Sequence, residues 1–270
     1  MLKNITLGQY FPGNSPIHRM DPRTKLILVF AFIVLIFFVK TFIAYFFIAA
    51  FVLMTMLISK VPIKYMLRGL KPLWFIIILT FLLNVLMTPG QSPLFDWKFI
   101  HITKEGLRNA GYLSIRLILL VMGTQVLTLT TSPLALTDGI EYLMKPLSKI
   151  GFPAHELAMM MTIALRFIPT LLNETDRIMK AQMSRGADFE SGNIIRRAKN
   201  LVPLMVPLFV SAFRRADELA LAMEARCYKG GEGRTRMKVL KMHRIDLYAT
   251  FVFLLLIGIT VVDNLWLAML

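Results

Sequence analysis

Residues 26–59 read LILVFAFIVLIFFVKTFIAYFFIAAFVLMTMLIS, and Lys40 is the one charged residue among them. A bilayer core about 30 Å thick requires roughly 20 apolar residues in a helix. The stretch therefore holds two candidate spans, Leu26–Val39 and Thr41–Ser59, which form either a tight hairpin or one broken helix. This run predicts that the chain is a membrane protein.

Three more apolar stretches are candidate spans. They are Pro72–Met87, Leu107–Thr130 and Leu247–Val262. The whole chain of 270 residues is 56% hydrophobic, which is more apolar than an ordinary soluble domain. We therefore expect an all-α membrane protein with about five transmembrane helices.

The apolar stretches divide the chain into three parts. Residues 1–131 hold a cytoplasmic N-terminal segment and transmembrane helices 1 to 4. Residues 132–246 show helical periodicity with mixed charge, and we predict that they form cytoplasmic or interfacial coupling helices. Residues 247–270 form the last transmembrane helix.

The basic charge of the chain predicts its orientation in the bilayer. The formal net charge is +15, and most aromatic residues lie inside apolar runs rather than in a basic polar domain, so no nucleic-acid partner is expected. Lysine and arginine are enriched in cytoplasmic loops. Such residues precede the first span and follow the second, at Lys3, Arg19, Arg23, Lys25, Lys60, Lys64, Arg68 and Lys71. The N-terminus is therefore predicted to be cytoplasmic and the C-terminus, after five spans, to lie outside.

Two long helical stretches lie between the fourth and fifth predicted spans. They run from Pro153 to Gly186 and from Ser191 to Gly231. At 1.5 Å per residue, each reaches roughly 45 Å. Prolines inside them are candidate helix bends, because proline disrupts the helical hydrogen-bond ladder. These prolines are Pro169, Pro203 and Pro207.

Each long stretch ends in an arginine between two small residues. The triplets are Ser184-Arg185-Gly186 and Ala225-Arg226-Cys227. One interpretation is helix capping, because a cation near a helix C-terminus gains roughly 0.3–1 kcal/mol from the macrodipole. The other is recognition, because a guanidinium can pair bidentately with a carboxylate and small flanks let a partner close around it.

The sequence offers no motif for catalysis or metal binding. It has no G-x-x-x-x-G-K-[ST] phosphate loop, no H-E-x-x-H pair and a single cysteine. The four histidines are scattered, at His18, His101, His155 and His243. The polar residues inside the spans, chiefly Asn84, Arg116 and Gln125, are too few for an active site, and Arg116 is expected to face protein or a cavity.

The segment PIHRMDPRTKL, residues 16–26, adds a family resemblance to these observations. Together with the paired triplets and the order of spans, it resembles the transmembrane T component (EcfT) of energy-coupling factor (ECF) transporters. The resemblance covers nearly the whole chain. The family segment falls on His18, Arg19, Asp21, Pro22, Arg23 and Lys25.

The resemblance implies a scaffold in a prokaryotic plasma membrane. Such proteins join two ABC-type ATPases to an S component, a small membrane protein that captures the substrate. Arg185 would meet one ATPase and Arg226 the other, each pairing with an acidic residue. ATP and magnesium would be bound by the ATPases, and no cofactor by this chain. Cys227 stands where the family usually has alanine, glycine or serine, but it is still small.

The resemblance also suggests roles for two further sets of residues. The N-terminal segment would either lock the cytoplasmic end of the membrane part or serve only as an orientation signal. Methionines in the long helices would suit a surface that accepts several partners, or they would be core. They are Met159, Met160, Met161 and Met205.

Three other functions remain open from the sequence. The chain could be a T component dedicated to one substrate, such as biotin, cobalt or nickel. It could be a self-sufficient channel or secondary carrier, which predicts more polar residues in the spans. It could be a membrane enzyme, which predicts a catalytic constellation that the sequence lacks.

Overall fold

The structure is a computed structural model that describes residues 10–88, 93–97, 100–189, 193–230 and 240–269. Two compact units are present, and each is described by itself. The membrane unit comprises residues 10–139 and 240–269, and the hairpin unit comprises residues 140–230. Along the described residues, the first change of unit falls after Gly139. The division into residues 1–131, 132–246 and 247–270 stays a prediction.

The membrane unit consists of helices and one small β-hairpin. In chain order, its elements are α1 Pro16–Arg19, α2 Pro22–Phe38, α3 Phe42–Ser59, α4 Ile63–Leu70, α5 Trp74–Met87, β1 Pro93–Trp97, β2 Ile100–Thr103, α6 Lys104–Thr130, the first half of α7 Pro133–Met144, and α10 Arg244–Met269. The strands β1 and β2 are antiparallel. The all-α class expected from the sequence is confirmed, with this hairpin as a local addition.

Local sequence explains where α2 begins and where α3 ends. The Asp21 carboxylate accepts a hydrogen bond from the backbone N–H of Arg23 at 2.9 Å, and Pro22 occupies the first helical position of α2. Helix α3 ends before Lys60, its C-cap, which adopts the left-handed conformation with φ of 55°.

The helices α2 and α3 form a hairpin, which decides between the two alternatives left by the sequence. The short helix α1 precedes α2 and nevertheless packs against α3. This contact requires α3 to fold back along α2, because a broken but extended helix would carry α3 away from α1.

Four membrane helices run in alternating directions around one core. Helices α2 and α10 are parallel, since Asp21 N–H donates to Asp246 at 2.9 Å near their first residues and Asn264 donates to Phe38 O at 2.8 Å near their last. Helix α6 is antiparallel to α2, since the Lys25 ammonium donates to Thr130 O at 3.0 Å. The core also includes α3 and α4, and its fully buried side chains include Ile36, Ile48, Met66 and Leu129.

Arg116, the charge inside the fourth predicted span, faces protein as expected. Its Nε donates to the Tyr45 hydroxyl at 3.0 Å, and its Nη2 donates to Val39 O at 3.3 Å. Val39 is the C-cap of α2, so the guanidinium lies at the negative end of that helix dipole.

Among the described residues, four helices are long and apolar enough to span a bilayer, and the bent pair α4–α5 gives a fifth candidate with an angle of 53°. Three of the four, α3, α6 and α10, are spans predicted from the sequence. The fourth is α8 Ala154–Ser184, which the sequence analysis assigns to the cytoplasmic region. Helix α2 has 17 residues, the lower end of the length for a span. The total of about five is confirmed, whereas the side of the membrane on which α8 lies stays a prediction.

Cysteine labelling tests the predicted orientation. In a Cys227→Ser background, we expect a membrane-impermeant maleimide to label Lys40→Cys in intact cells. Lys60→Cys, at the opposite end of α3, is the matched control and should react only after permeabilisation, because both native side chains are exposed and only the compartment differs. The reverse pattern would invert the assignment of both termini.

The hairpin unit contains the rest of α7, a 3₁₀ turn over Lys145–Ile150, α8 Ala154–Ser184 and α9 Ile194–Ala225. The bounds of α8 and α9 agree with the two long stretches of the sequence. Both helices continue through their internal prolines without an interruption. Bending at these prolines stays a prediction.

Candidate functional site

The first triplet forms a complete Schellman motif at the end of α8. Ser184 is the last helical residue, Arg185 is the C-cap, and Gly186 adopts the left-handed conformation with φ of 86°. The N–H of Gly186 donates to Met183 O and that of Ala187 to Gln182 O, both at 3.0 Å. These two bonds satisfy carbonyls that a helix end leaves free.

The second triplet repeats this geometry at the end of α9. Ala225 is the last helical residue, Arg226 is the C-cap, and Cys227 is left-handed with φ of 54°. Its N–H donates to Glu224 O at 2.8 Å, and the N–H of Tyr228 donates to Met223 O at 3.0 Å. The two triplets therefore have the same backbone conformation, residue for residue.

This geometry explains one small position of each triplet. The third residue must be left-handed, and a side chain there costs roughly 1–2 kcal/mol relative to glycine. Gly186 meets the requirement freely, whereas Cys227 adopts the conformation at a cost. The small third residue is thus required by the helix end itself, but the arginine before it is not.

We expect Cys227→Gly to raise stability and Gly186→Ala to lower it, each by about 1 kcal/mol in the free energy of unfolding. The reason is the left-handed backbone that the two positions share. Thermal unfolding of the detergent-solubilised chain measures both changes. Equal midpoints for the two variants would contradict the assigned helix ends.

Both arginines are exposed, and neither side chain is bonded to the described part of the chain. Neither guanidinium makes a hydrogen bond or an ion pair with any described residue, and the flanks Ser184, Gly186, Ala225 and Cys227 are exposed as well. The backbone bonds of the Schellman motifs already satisfy the helix ends. Capping by the macrodipole remains available to Arg185 and Arg226, but no side-chain bond to the terminal carbonyls supports it.

A polar cluster fixes how α8 and α9 pack. Glu174 of α8 accepts a hydrogen bond from the Ser211 hydroxyl at 2.6 Å and an ion-paired bond from Arg215 at 3.0 Å. Farther along, the Tyr228 hydroxyl lies 3.0 Å from the sulfur of Met159. Residue numbers rise on α9 as they fall on α8, so the two helices are antiparallel.

The antiparallel packing sends the two arginines to opposite ends of the hairpin unit. Met159 lies beside Tyr228, and therefore near Arg226, whereas Arg185 lies 26 residues farther along α8. At 1.5 Å per residue this separates the arginines by roughly 40 Å. One groove on one partner cannot hold both.

The N-terminal family segment lies in the membrane unit and contacts three helix ends. His18 pairs with the Ser15 hydroxyl at 2.7 Å and with Phe11 O at 3.0 Å. Arg23 donates to Leu240 O at 3.1 Å, next to the start of α10. Of the remaining members of the segment, Arg19 is exposed, while Pro22 and Asp21 are buried at the start of α2.

Lys25 is the most deeply engaged member of this segment. It is 5% exposed, and its ammonium donates to Thr130 O at 3.0 Å and to Thr131 Oγ1 at 3.1 Å. The contact joins the start of α2 to the end of α6. An orientation signal alone would not need these bonds.

The histidines and other potential metal ligands of the described residues are dispersed. Within the described residues, no three histidine, cysteine or carboxylate side chains lie together as potential ligands. His155 pairs with Glu141 at 3.0 Å, and His18 is engaged as described above. The side chain of His101 lies outside the described part of the chain.

Comparison with known proteins places these features in a family. Residues 13–237 match the CbiQ family, described as "Cobalt transport protein". A protein of Clostridium kluyveri is 57% identical over 267 residues, 98% of this chain and 99% of its own, and is named "Energy-coupling factor transporter transmembrane protein EcfT". The chain belongs to the EcfT family.

Two further members of the EcfT family show how broad the similarity is. The protein with the same name from Acidaminococcus fermentans is 57% identical, covering 95% of each chain. The one from Bacillus subtilis is 49% identical, covering 89% of this chain and 91% of its own. The match to the CbiQ family, over residues 13–237, includes both triplets and the N-terminal segment.

In this EcfT-family chain, sequence reasoning found the triplets but missed the residues that orient them. Glu174, Ser211 and Arg215 hold α8 to α9, and Tyr228 contacts Met159. The sequence signal for this contact was the presence of Glu174 and Arg215 in two long helices that contain large apolar stretches. Charges in such positions are usually paired.

Proposed function

We propose that the chain is the transmembrane scaffold of an ATP-driven ECF-type importer for vitamins or other micronutrients. In this proposal it couples two ABC-type ATPases to one S component. The observation that carries it is the pair of identical, exposed, arginine-bearing helix ends roughly 40 Å apart. Two helix ends of the same geometry at that separation suit two ATPases of similar structure that lie side by side.

Each arginine would insert into an acidic groove on one ATPase. An exposed guanidinium without an internal partner can pair bidentately with a carboxylate, and an arginine buried at an interface can contribute roughly 2 kcal/mol or more. The flanks Ser184, Gly186, Ala225 and Cys227 have little bulk, so a groove could close over Arg185 or Arg226. The hairpin would hold the two ends apart.

The exposed apolar face of α9 would dock the S component. Its residues recur at helical spacing and are Leu201, Val202, Met205, Val206, Phe209, Val210 and Phe213, each at least 46% exposed. Met160 and Met161 of α8 are also more than half exposed, whereas Met159 contacts Tyr228. Flexible methionines at such a surface would allow more than one S component to bind.

ATP hydrolysis would take place entirely on the partners. The chain has no phosphate loop, so ATP and magnesium would be bound by the ATPases, and this subunit would be non-catalytic. The prolines Pro169, Pro203 and Pro207 would let α8 and α9 bend as the ATPases close. The N-terminus would lie in the cytoplasm of a prokaryotic cell and the C-terminus outside.

A dedicated T component is the second candidate. The matched family is described as a cobalt transport protein, while the names of the EcfT relatives include no substrate. Pairing this chain in turn with two S components of different substrates separates the cases. Uptake with both indicates a shared module, and uptake with one indicates a dedicated module.

Reconstitution tests the function itself. Proteoliposomes with this chain, both ATPases and a vitamin-specific S component should accumulate radiolabelled vitamin with ATP, but not with a non-hydrolysable analogue. Omitting this chain should abolish uptake. Equal transport by the chain without ATPases would instead identify a channel or secondary carrier.

A further inference from the structure

An apolar cleft runs along the membrane unit between α2, α3, α6 and α10, and Pro16, Ile17 and Met20 at α1 also line it. Its volume is about 410 Å³. On each helix the lining covers a similar length, from Lys25 to Phe32, Phe51 to Ile58, Gly123 to Thr130, and Ile245 to Phe253. Seven residues of helix correspond to roughly 10 Å. The cleft is therefore an elongated slot that is parallel to the helices.

The cleft opens sideways between α3 and α10. Its lining residues on these two helices include Met54, Tyr248 and Val252, which are 52%, 66% and 41% exposed. The helix faces beside the opening are apolar as well, with Leu57 and Phe251 exposed. A surface of this kind faces hydrocarbon in a membrane protein.

One end of the slot carries a buried ammonium group. Lys25 lines the cleft and has three N–H donors, of which two bind Thr130 O and Thr131 Oγ1. No described residue accepts the third. The hydroxyls of Thr55 and Thr130 bond to carbonyls of their own helices, so they leave the walls apolar.

The polar end also has an excess of basic residues. Asp21 and Asp246 lie there, and both carboxylates are engaged at helix starts. Asp138 of α7 is close as well, because the adjacent Gly139 lies against Pro22 and Leu26. Five basic residues outnumber these three acids in the same N-terminal segment and at the start of α10, namely Arg19, Arg23, Lys25, Lys241 and Arg244. Basic pockets between helix ends at the cytoplasmic membrane surface suit anionic headgroups.

We propose that this cleft binds one anionic phospholipid. One acyl chain fills the slot from Lys25 towards Phe32, and the phosphate accepts the third hydrogen bond of the Lys25 ammonium. The tyrosine at the opening, Tyr248, lies at the depth where aromatic side chains meet headgroups. A bound lipid would fill a gap that the four helices leave between them.

The slot is closed at the end opposite Lys25, where the ring of Phe32 packs on Gly123. A side chain at this position would overlap the ring of Phe32, so the glycine lets α2 and α6 approach there. The slot therefore has one polar end and one closed apolar end. This polarity matches a lipid that enters with its headgroup at the Lys25 end.

The test uses the full chain in phosphatidylcholine vesicles containing a photoreactive lipid. One preparation carries a phosphatidylglycerol with a diazirine in its acyl chain, and the other carries the matching phosphatidylcholine. After illumination, mass spectrometry locates the label. We expect residues 25–32, 51–58, 123–130 and 245–253 to be labelled about tenfold more by phosphatidylglycerol, the effect of one charged hydrogen bond.

Two variants separate the cleft from general lipid contact. Ala249→Phe places a ring in the slot and should lower labelling there about tenfold. Ala50→Phe is the matched control, because Ala50 is exposed on α3 outside the cleft, and it should leave labelling unchanged. Lys25→Met should reduce phosphatidylglycerol labelling to the phosphatidylcholine level.

Three results would overturn the proposal. Equal labelling by the two lipids would exclude recognition of the anionic headgroup. Unchanged labelling of Ala249→Phe would mean that only lipid outside the slot is detected. Loss of cleft labelling when the S component is added would mean that the S component, not a lipid, occupies the slot in the assembled transporter.

Discussion

Arg226→Glu is expected to release one ATPase from the purified complex, and Arg185→Glu to release the other. Each reversal replaces an exposed guanidinium at a helix end with a carboxylate that would face an acidic groove. Removing one partner of a desolvated charge pair costs roughly 2–5 kcal/mol, or about 30-fold to several thousand-fold in affinity. ATP-driven uptake should fall to background in both variants, because transport in the proposed function requires both ATPases.

Arg214→Glu is the matched control for this experiment. Arg214 lies on α9, its side chain is 81% exposed, and among the described residues it makes one surface pair, with Glu218 at 3.3 Å. The same change of charge on the same helix should leave both ATPases bound. A general effect of added negative charge would instead affect all three variants alike.

The variants Arg185→Lys and Arg226→Lys distinguish pairing with an ATPase carboxylate from capping of the helix. Lysine keeps the charge near the helix dipole but loses the planar fork of donors. If Arg185 and Arg226 only cap helices, their lysine variants should behave as wild type. We expect each to weaken its ATPase at least about tenfold, which affinity measurements on the single ATPases would detect. Full retention of both ATPases by the glutamate variants would refute the assignment.

The ends of the long helices could be predicted from sequence, but their mutual arrangement could not. Pro153 and Gly186 bracket α8 because proline and glycine act on the local backbone. The antiparallel packing depends on Glu174 meeting Ser211 and Arg215, which lie 37 and 41 positions away. No periodicity in either helix fixes that register, so the separation of the arginines by roughly 40 Å emerges only from the structure.

Cys227 illustrates a second limit of sequence reasoning. Glycine after Arg185 indicates a left-handed residue directly, because glycine has no steric penalty there. A cysteine gives no such signal, and its size alone suggested only a close-packed flank. The shared φ region of Gly186 and Cys227 shows that the backbone sets the demand at this position.

The N-terminal segment was predictable as a feature but not in its contacts. Asp21 followed by Pro22 predicts a helix start, and α2 begins there. Lys25 reads equally well as an orientation signal. Its bonds to Thr130 and Thr131 join residues 105 and 106 positions apart, which no local pattern encodes.

Gly69→Ala is expected to destabilise the membrane unit strongly. A side chain at this position of α4 would overlap the terminal amide of Gln125 on α6. Gln125 is 8% exposed, and in the amide orientation that satisfies both neighbours it donates to Met66 O at 2.5 Å and accepts from Gly69 N–H at 3.2 Å. Displacing it leaves buried polar groups unpaired at a cost of about 1–3 kcal/mol, and overpacking adds a similar amount.

A double-mutant cycle isolates this contact. Gln125→Ala removes the amide and makes room for a methyl group at position 69, so Gly69→Ala should cost at least about 1 kcal/mol less in that background. Gly111→Ala on α6 is the matched control and should be neutral or stabilising. Apart from the local backbone and the adjacent residues, nothing described lies within 4 Å of the place that its added methyl group would take. Thermal unfolding in detergent measures all four variants. Additive costs, or a Gly69→Ala chain as stable as Gly111→Ala, would show that α4 does not pack against α6 through this amide. The expected coupling would make the basic helix α4, with Lys64 and Arg68, a fixed part of the membrane unit.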